Sequence, residues 1–93
     1  MPRTLIALTA LLTVSTISGV ALAAPNCTSE AKLKWLTEDA MKAKVAEMGY
    51  KDIRTFKISG NCYEIYGMTS EGKRAEVYFN PVSGQVVESK IGN

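Results

Sequence analysis

The sequence predicts an α+β domain in which one main helix packs on a three- to four-stranded antiparallel β-meander. Three observations predict it. Between Thr37 and Gly49 apolar residues recur at helical spacing, from Ile53 onward the period drops to two, and the strand-like runs are separated by short turns containing Gly, Ser, Asn and Pro.

The chain opens with a separate element. Arg3 precedes an uncharged, mainly apolar run from Leu5 to Leu22, which closes in Ala21-Leu22-Ala23-Ala24-Pro25. A basic start, an apolar stretch and an A-x-A site define a secretory signal peptide, here residues 1–23, with a single domain at 24–93. The competing reading is an uncleaved anchor, since a spanning helix needs roughly 20 apolar residues. Against it, Thr9, Thr13, Ser15, Thr16, Ser18 and Gly19 dilute the run. Cys27 lacks the small-residue frame of a lipoprotein, and no second apolar run of spanning length follows. The expected location is therefore exported, periplasmic or secreted, with no stable membrane span after cleavage.

Export determines what to expect of the two cysteines, Cys27 and Cys62. Oxidising surroundings favour a bond between them over the alternative of two buried free thiols. There is no C-x-x-C and no histidine, and two thiolates are too few ligands for zinc, so a structural staple is expected and no cofactor or metal centre. Without Arg3, ten Lys and Arg face nine Asp and Glu, and their signs alternate along the chain. Nucleic-acid binding has no basic stripe to rest on.

Thr37 is placed to cap the helix, Glu38 and Asp39 lie near its positive end, and Gly49 fits the position just past its last turn. Leu36 and Met41 suit a hydrophobic staple. Met41, Val45 and Met48 form one apolar stripe, while Lys42, Lys44 and Glu47 look outward. Strands are expected at Ile53–Ser59, Cys62–Thr69 and Arg74–Asn80, and a short fourth at Gln85–Ser89 after the turn Pro81-Val82-Ser83-Gly84.

Alternation assigns Phe56, Ile58, Tyr63, Ile65, Ala75, Val77 and Phe79 to the helix side. It leaves Cys62, Glu64, Tyr66, Met68, Glu76 and Tyr78 on the helix-distal face. Cys27 must then approach Cys62 on that distal side and bring the N-terminal segment with it. Trp35 belongs either at that seam or in the core.

These residues carry a resemblance. Cys27, the helix-opening Trp35-Leu36-Thr37-Glu38-Asp39-Ala40, Gly49-Tyr50, Gly60-Asn61-Cys62-Tyr63-Glu64, and the run from Glu71 through Asn80-Pro81-Val82-Ser83-Gly84 to Val87 are similar in order to a small exported PepSY-domain protein. Asn80 stands where aspartate is commoner in that family. The resemblance implies a helix packed on an antiparallel sheet and no catalytic residues. It also implies a link to peptidases, because PepSY domains occur in propeptides of secreted thermolysin-like metalloproteases and are proposed to inhibit or regulate peptidases.

Three function classes follow. The leading one is a non-catalytic interaction module, a peptidase modulator or inhibitor, binding a protein partner such as a peptidase or envelope sensor. Its anchors would be Trp35, Glu64, Tyr66, Glu76 and Tyr78, with an edge strand for strand addition. The second is an extracytoplasmic small-ligand or metal-ion carrier, with Glu64, Glu76 and the tyrosines converging on the distal face. An enzyme comes last, since the chain has no histidine, no phosphate-binding Gly-rich loop and no nucleophile in a recognisable setting. Intact-mass analysis of protein recovered outside the cytoplasm should show loss of Met1 to Ala23 and of two further hydrogens; a retained leader would contradict the export reading.

Overall fold

The computed structural model describes residues 23–92, so the expected signal peptide falls, Ala23 apart, outside the described residues. A single 3-10 turn, Lys32–Lys34, precedes the helix α1, Glu38–Glu47. Four strands follow: β1 Lys51–Ser59, β2 Cys62–Met68, β3 Arg74–Phe79 and β4 Val86–Ile91. They pair antiparallel in the order β1-β2-β3-β4. Each connection is too short for a parallel crossover.

The helix is bounded by side-chain and backbone chemistry. The Thr37 hydroxyl accepts a hydrogen bond from the Ala40 N–H at 3.2 Å, satisfying a donor that the first turn leaves unpaired. At the other end Gly49 adopts φ +91°. The Tyr50 N–H donates to the Val45 carbonyl and the Gly49 N–H to the Ala46 carbonyl. That pair of bonds is a Schellman stop, which needs a residue tolerant of positive φ. Lys51 then starts β1 at once.

The α+β expectation is corrected here. Ten helical residues stand beside strands of nine, seven, six and six, so the described domain is mostly β rather than a main helix packed on a sheet. The stop at Gly49 keeps the helix short, and it buries only Met41 and Val45. Met48, expected in the same stripe, is 43% exposed. Most of the core comes from the inner strands: Tyr63 and Ile65 of β2 with Ala75, Val77 and Phe79 of β3.

Trp35, Leu36, Tyr50 and Phe56 close this core from the side. Trp35 stands edge-on to Tyr63 at 5.4 Å, and its indole N–H donates to the Glu30 carbonyl. The Tyr63 hydroxyl donates to the Leu36 carbonyl at 2.6 Å, while the Leu36 N–H donates to the Pro81 carbonyl at 2.8 Å. The approach to the helix is thus tied to the sheet on both sides. Of the two positions open to Trp35, the structure takes the core.

Phe56 apart, the apolar helix-side residues of the outer strands stay exposed. Ile58, opposite Tyr63, and Val86, opposite Phe79, share the core face but lie beyond the helix, as does Ile91 opposite Ala75. Ile58 was expected to point inward; it does face that side, yet it is 49% exposed. The start of β1 is irregular, with a register shift between Lys51 and Thr55 and Asp52 at φ +50°. Ile53 here crosses Gly67 so closely that a Cβ on Gly67 would lie 2.6 Å from its Cδ1 and 3.0 Å from the Lys51 carbonyl oxygen.

A smaller cluster sits on the other face. Cys27 and Cys62 are bonded, with Cα atoms 5.2 Å apart, and pack with Tyr78 and Ala24. Asn61 holds the same segment: its Oδ1 accepts from the Cys27 N–H and its Nδ2 donates to Asn26 Oδ1, both at 2.7 Å. The bond closes a loop between residues 35 apart in sequence, which stabilises by roughly 3 to 4 kcal/mol on the chain-entropy model. Replacing both cysteines by alanine should lower unfolding free energy by about that amount in urea melts; a midpoint within experimental error of the parent would refute the staple role.

Candidate interaction surfaces

On the helix-distal face the register sets two rows of side chains across the four strands. One runs Lys57, Glu64, Tyr78, Glu88, and the other Thr55, Tyr66, Glu76, Lys90. Directly opposed residues of antiparallel strands lie close enough for charge and hydrogen-bond pairing. Lys57 Nζ is 3.7 Å from Glu64 Oε1 and lies over the Tyr66 ring, and Lys90 Nζ is 3.5 Å from Glu76 Oε1. The Tyr66 hydroxyl hydrogen-bonds the Glu76 carboxylate.

This network fills the face. Glu64 is only 2% exposed and Tyr78 5%, and no buried side-chain nitrogen or oxygen among the described residues lacks a hydrogen-bond partner. Electrostatics follow from the packing. The Tyr66 hydroxyl, and after it Lys90, hold the Glu76 carboxyl below its usual value against the opposing effect of burial. Its bond to Glu76 and then burial drive the Tyr66 hydroxyl far above the ordinary tyrosine range. Burial, then the charges of Glu64 and Glu76, push Tyr78 up to about 12.

The five expected anchors therefore do not form one accessible patch. Glu64, Tyr66, Glu76 and Tyr78 do come together, but Trp35 stands across the sheet against Tyr63. Glu64 and Tyr78 are inside, Glu76 is partly covered, and Tyr66 is the exposed member at 41%. The distal face was expected to be only partly covered, by the N-terminal segment that Cys27 brings with it. The segment from Ala24 to Cys27 and the cross-strand network close much of it.

Apolar surface emerges elsewhere, on the flanks that the short helix does not cover. Between α1 and β1 runs a groove of about 510 Å³ lined by Lys42, Val45, Tyr50, Ile53, Arg54 and Phe56, among others. Lys42 does not simply face outward, for its ammonium lies 5.4 Å from the centre of the Phe56 ring. Ile53 and Ile58 on β1 and Val86, Val87 and Ile91 on β4 are each between 38% and 49% exposed. The signal for these flanks was present in the sequence as a helix run too short to cover four strands.

Among the described residues, no three His, Cys, Asp or Glu side chains stand together as metal ligands, and no helix is long and apolar enough to cross a membrane. What decides the family is the whole-chain pattern: the profile of PepSY_2, described as peptidase propeptide and YPEB domain, matches residues 6–90. The chain belongs to the PepSY family. PepSY domains are generally regulatory, propeptide-type modules rather than catalytic ones. Neither curated proteins nor solved structures give a match. The Asn80 side-chain oxygen accepts from the Val82 and Ser83 N–H groups at 2.8 and 3.2 Å and builds the turn.

The raised tyrosines give a signed pH prediction. A hydroxyl whose folded value exceeds its unfolded one, near 10, contributes stability that is fully present below pH 10 and lost as pH rises through the folded value. The urea midpoint should fall progressively between pH 10 and about 12, and Tyr78→Phe should flatten that fall. Equal alkaline slopes for parent and variant would overturn the assignment to Tyr78.

Proposed function

We propose that the mature domain is an extracytoplasmic, non-catalytic protein-binding module that modulates a peptidase. The observation that carries this reading is the concentration of exposed apolar side chains on β1 and β4, the two strands whose outer backbone edges have no neighbour in the sheet. An unpaired edge supplies main-chain hydrogen bonds to an added strand, and the flanking side chains supply specificity. Membership of a peptidase-propeptide family supports a peptidase as the partner. The disulfide fits an oxidising compartment outside the cytoplasm.

Tyr66 remains an exposed aromatic beside these edges, whereas Tyr78 and Glu64 act from within by fixing the sheet. The test is inhibition. The oxidised domain, residues 24–93, should slow peptide hydrolysis by a secreted thermolysin-like metallopeptidase of the kind whose propeptides carry PepSY domains, with saturable dependence on concentration. Unchanged hydrolysis together with no complex by calorimetry, across a panel of such enzymes, would overturn the peptidase reading.

A further inference from the structure

The two free edges differ in chemistry. β4 alternates Glu88 and Lys90, whereas β1 carries Lys51, Arg54 and Lys57 against a single acid, Asp52, with Lys57 already paired to Glu64 on the distal face. Along β1 the ladder is regular from Thr55 to Ser59, so alternate backbone N–H and C=O groups of that stretch point away from β2 in strand order. Immediately beside it lies the groove, with Val45, Tyr50, Ile53 and Phe56 as apolar lining and two cations, Lys42 and Arg54, against one carboxylate, Glu38. Neither Lys42 nor Arg54 forms an ion pair with a described residue.

We propose that the β1 edge is the docking site for an extended, acidic and apolar segment of a partner protein, which adds as a fifth strand at Thr55–Ser59. Its large apolar side chains and a carboxylate between them share one face of the added strand and enter the α1/β1 groove, where the carboxylate meets Lys42 and Arg54. The geometry supplies each part of this recognition. The open strand edge gives main-chain bonds, the groove of about 510 Å³ accepts one or two large side chains, and the excess of positive charge selects the sign of the partner. Lys42 is already poised over Phe56, so a carboxylate arriving at the groove mouth finds a cation held in place. The inference rests on the protein-binding reading above and names its surface and partner chemistry.

The test uses the oxidised mature domain and two fluorescein-labelled, capped heptapeptides, Thr-Leu-Thr-Glu-Thr-Phe-Thr and Thr-Leu-Thr-Lys-Thr-Phe-Thr, in which the charge shares a face with the apolar side chains. Fluorescence anisotropy at low ionic strength should show the acidic peptide binding at least tenfold more tightly. Its amide chemical-shift changes should concentrate in Thr55–Ser59 and around Val45. Lys42→Glu with Arg54→Glu should remove the preference, and circular dichroism checks that this variant folds. Should it not fold, acidic peptides N-methylated either at Leu, Glu and Phe or at the threonines decide the matter on the parent protein, because strand addition must be abolished by one of the two patterns.

Equal affinity for the two peptides, absence of binding, equal tolerance of both methylation patterns, or shifts confined to Val86–Ile91 or to the distal face would overturn the proposal. Peptidase inhibition that survives the double charge reversal would sink this inference and leave the broader reading standing. No inhibition combined with no peptide binding would remove both.

Discussion

A helix of ten residues is about 15 Å long and roughly 10 Å wide, and four strands about 4.8 Å apart spread their axes over roughly 14 Å before side chains are added. One such helix cannot roof the whole sheet. It settles over β2 and β3, where Met41 and Val45 meet Ile65, Val77 and Phe79, and the outer strands are left with half-exposed isoleucines and valines. The dry core, the groove against β1 and the bare flank of β4 all follow from that mismatch of areas. The Schellman stop at Gly49 is what fixes the helix length, so a backbone conformation at one residue propagates to the distribution of apolar surface.

The opposite face solves its exposure differently. No second layer of secondary structure covers it, and the sheet instead joins Lys57 to Glu64, Tyr66 to Glu76 and Glu76 to Lys90 across neighbouring strands, with the disulfide and Ala24 packed on Tyr78 at one end. A carboxylate as buried as Glu64 is tolerable only with compensating partners. Lys57 supplies a charge that is itself half in water, which limits the desolvation cost to one side of the pair. The consequence is a rigid polar surface.

Much of this was legible from residue order. Thr37 and Gly49 mark the helix ends because capping and positive φ are local requirements, and the Tyr63/Ile65 against Glu64/Tyr66 alternation reads the two sheet faces because strand period is local as well. From that parity the approach of Cys27 on the distal side followed. Coverage was not legible. Alternation says which way Ile58 and Tyr78 point, and the disulfide brings the N-terminal segment to the distal face, but neither says that the helix stops short of Ile58 or that Glu64 and Tyr78 end up almost wholly buried. The place of Trp35 was decided by a long-range contact with Tyr63, and the reach of Lys42 over Phe56 by the spacing between helix and edge strand. Neither has a signature within its own stretch of sequence.

The charge on β1 also bears on self-association. An unpaired strand beside exposed isoleucines is the kind of feature that lets identical molecules join edge to edge. Two copies of β1 pairing antiparallel over Thr55–Ser59 about a two-fold axis would centre on Lys57 and set that side chain against its own copy, and like charges directly opposed are unfavourable. Lys57 thus guards this edge against its own twin, and a two-fold dimer through the regular part of β1 is disfavoured without any proline or covering loop to block it.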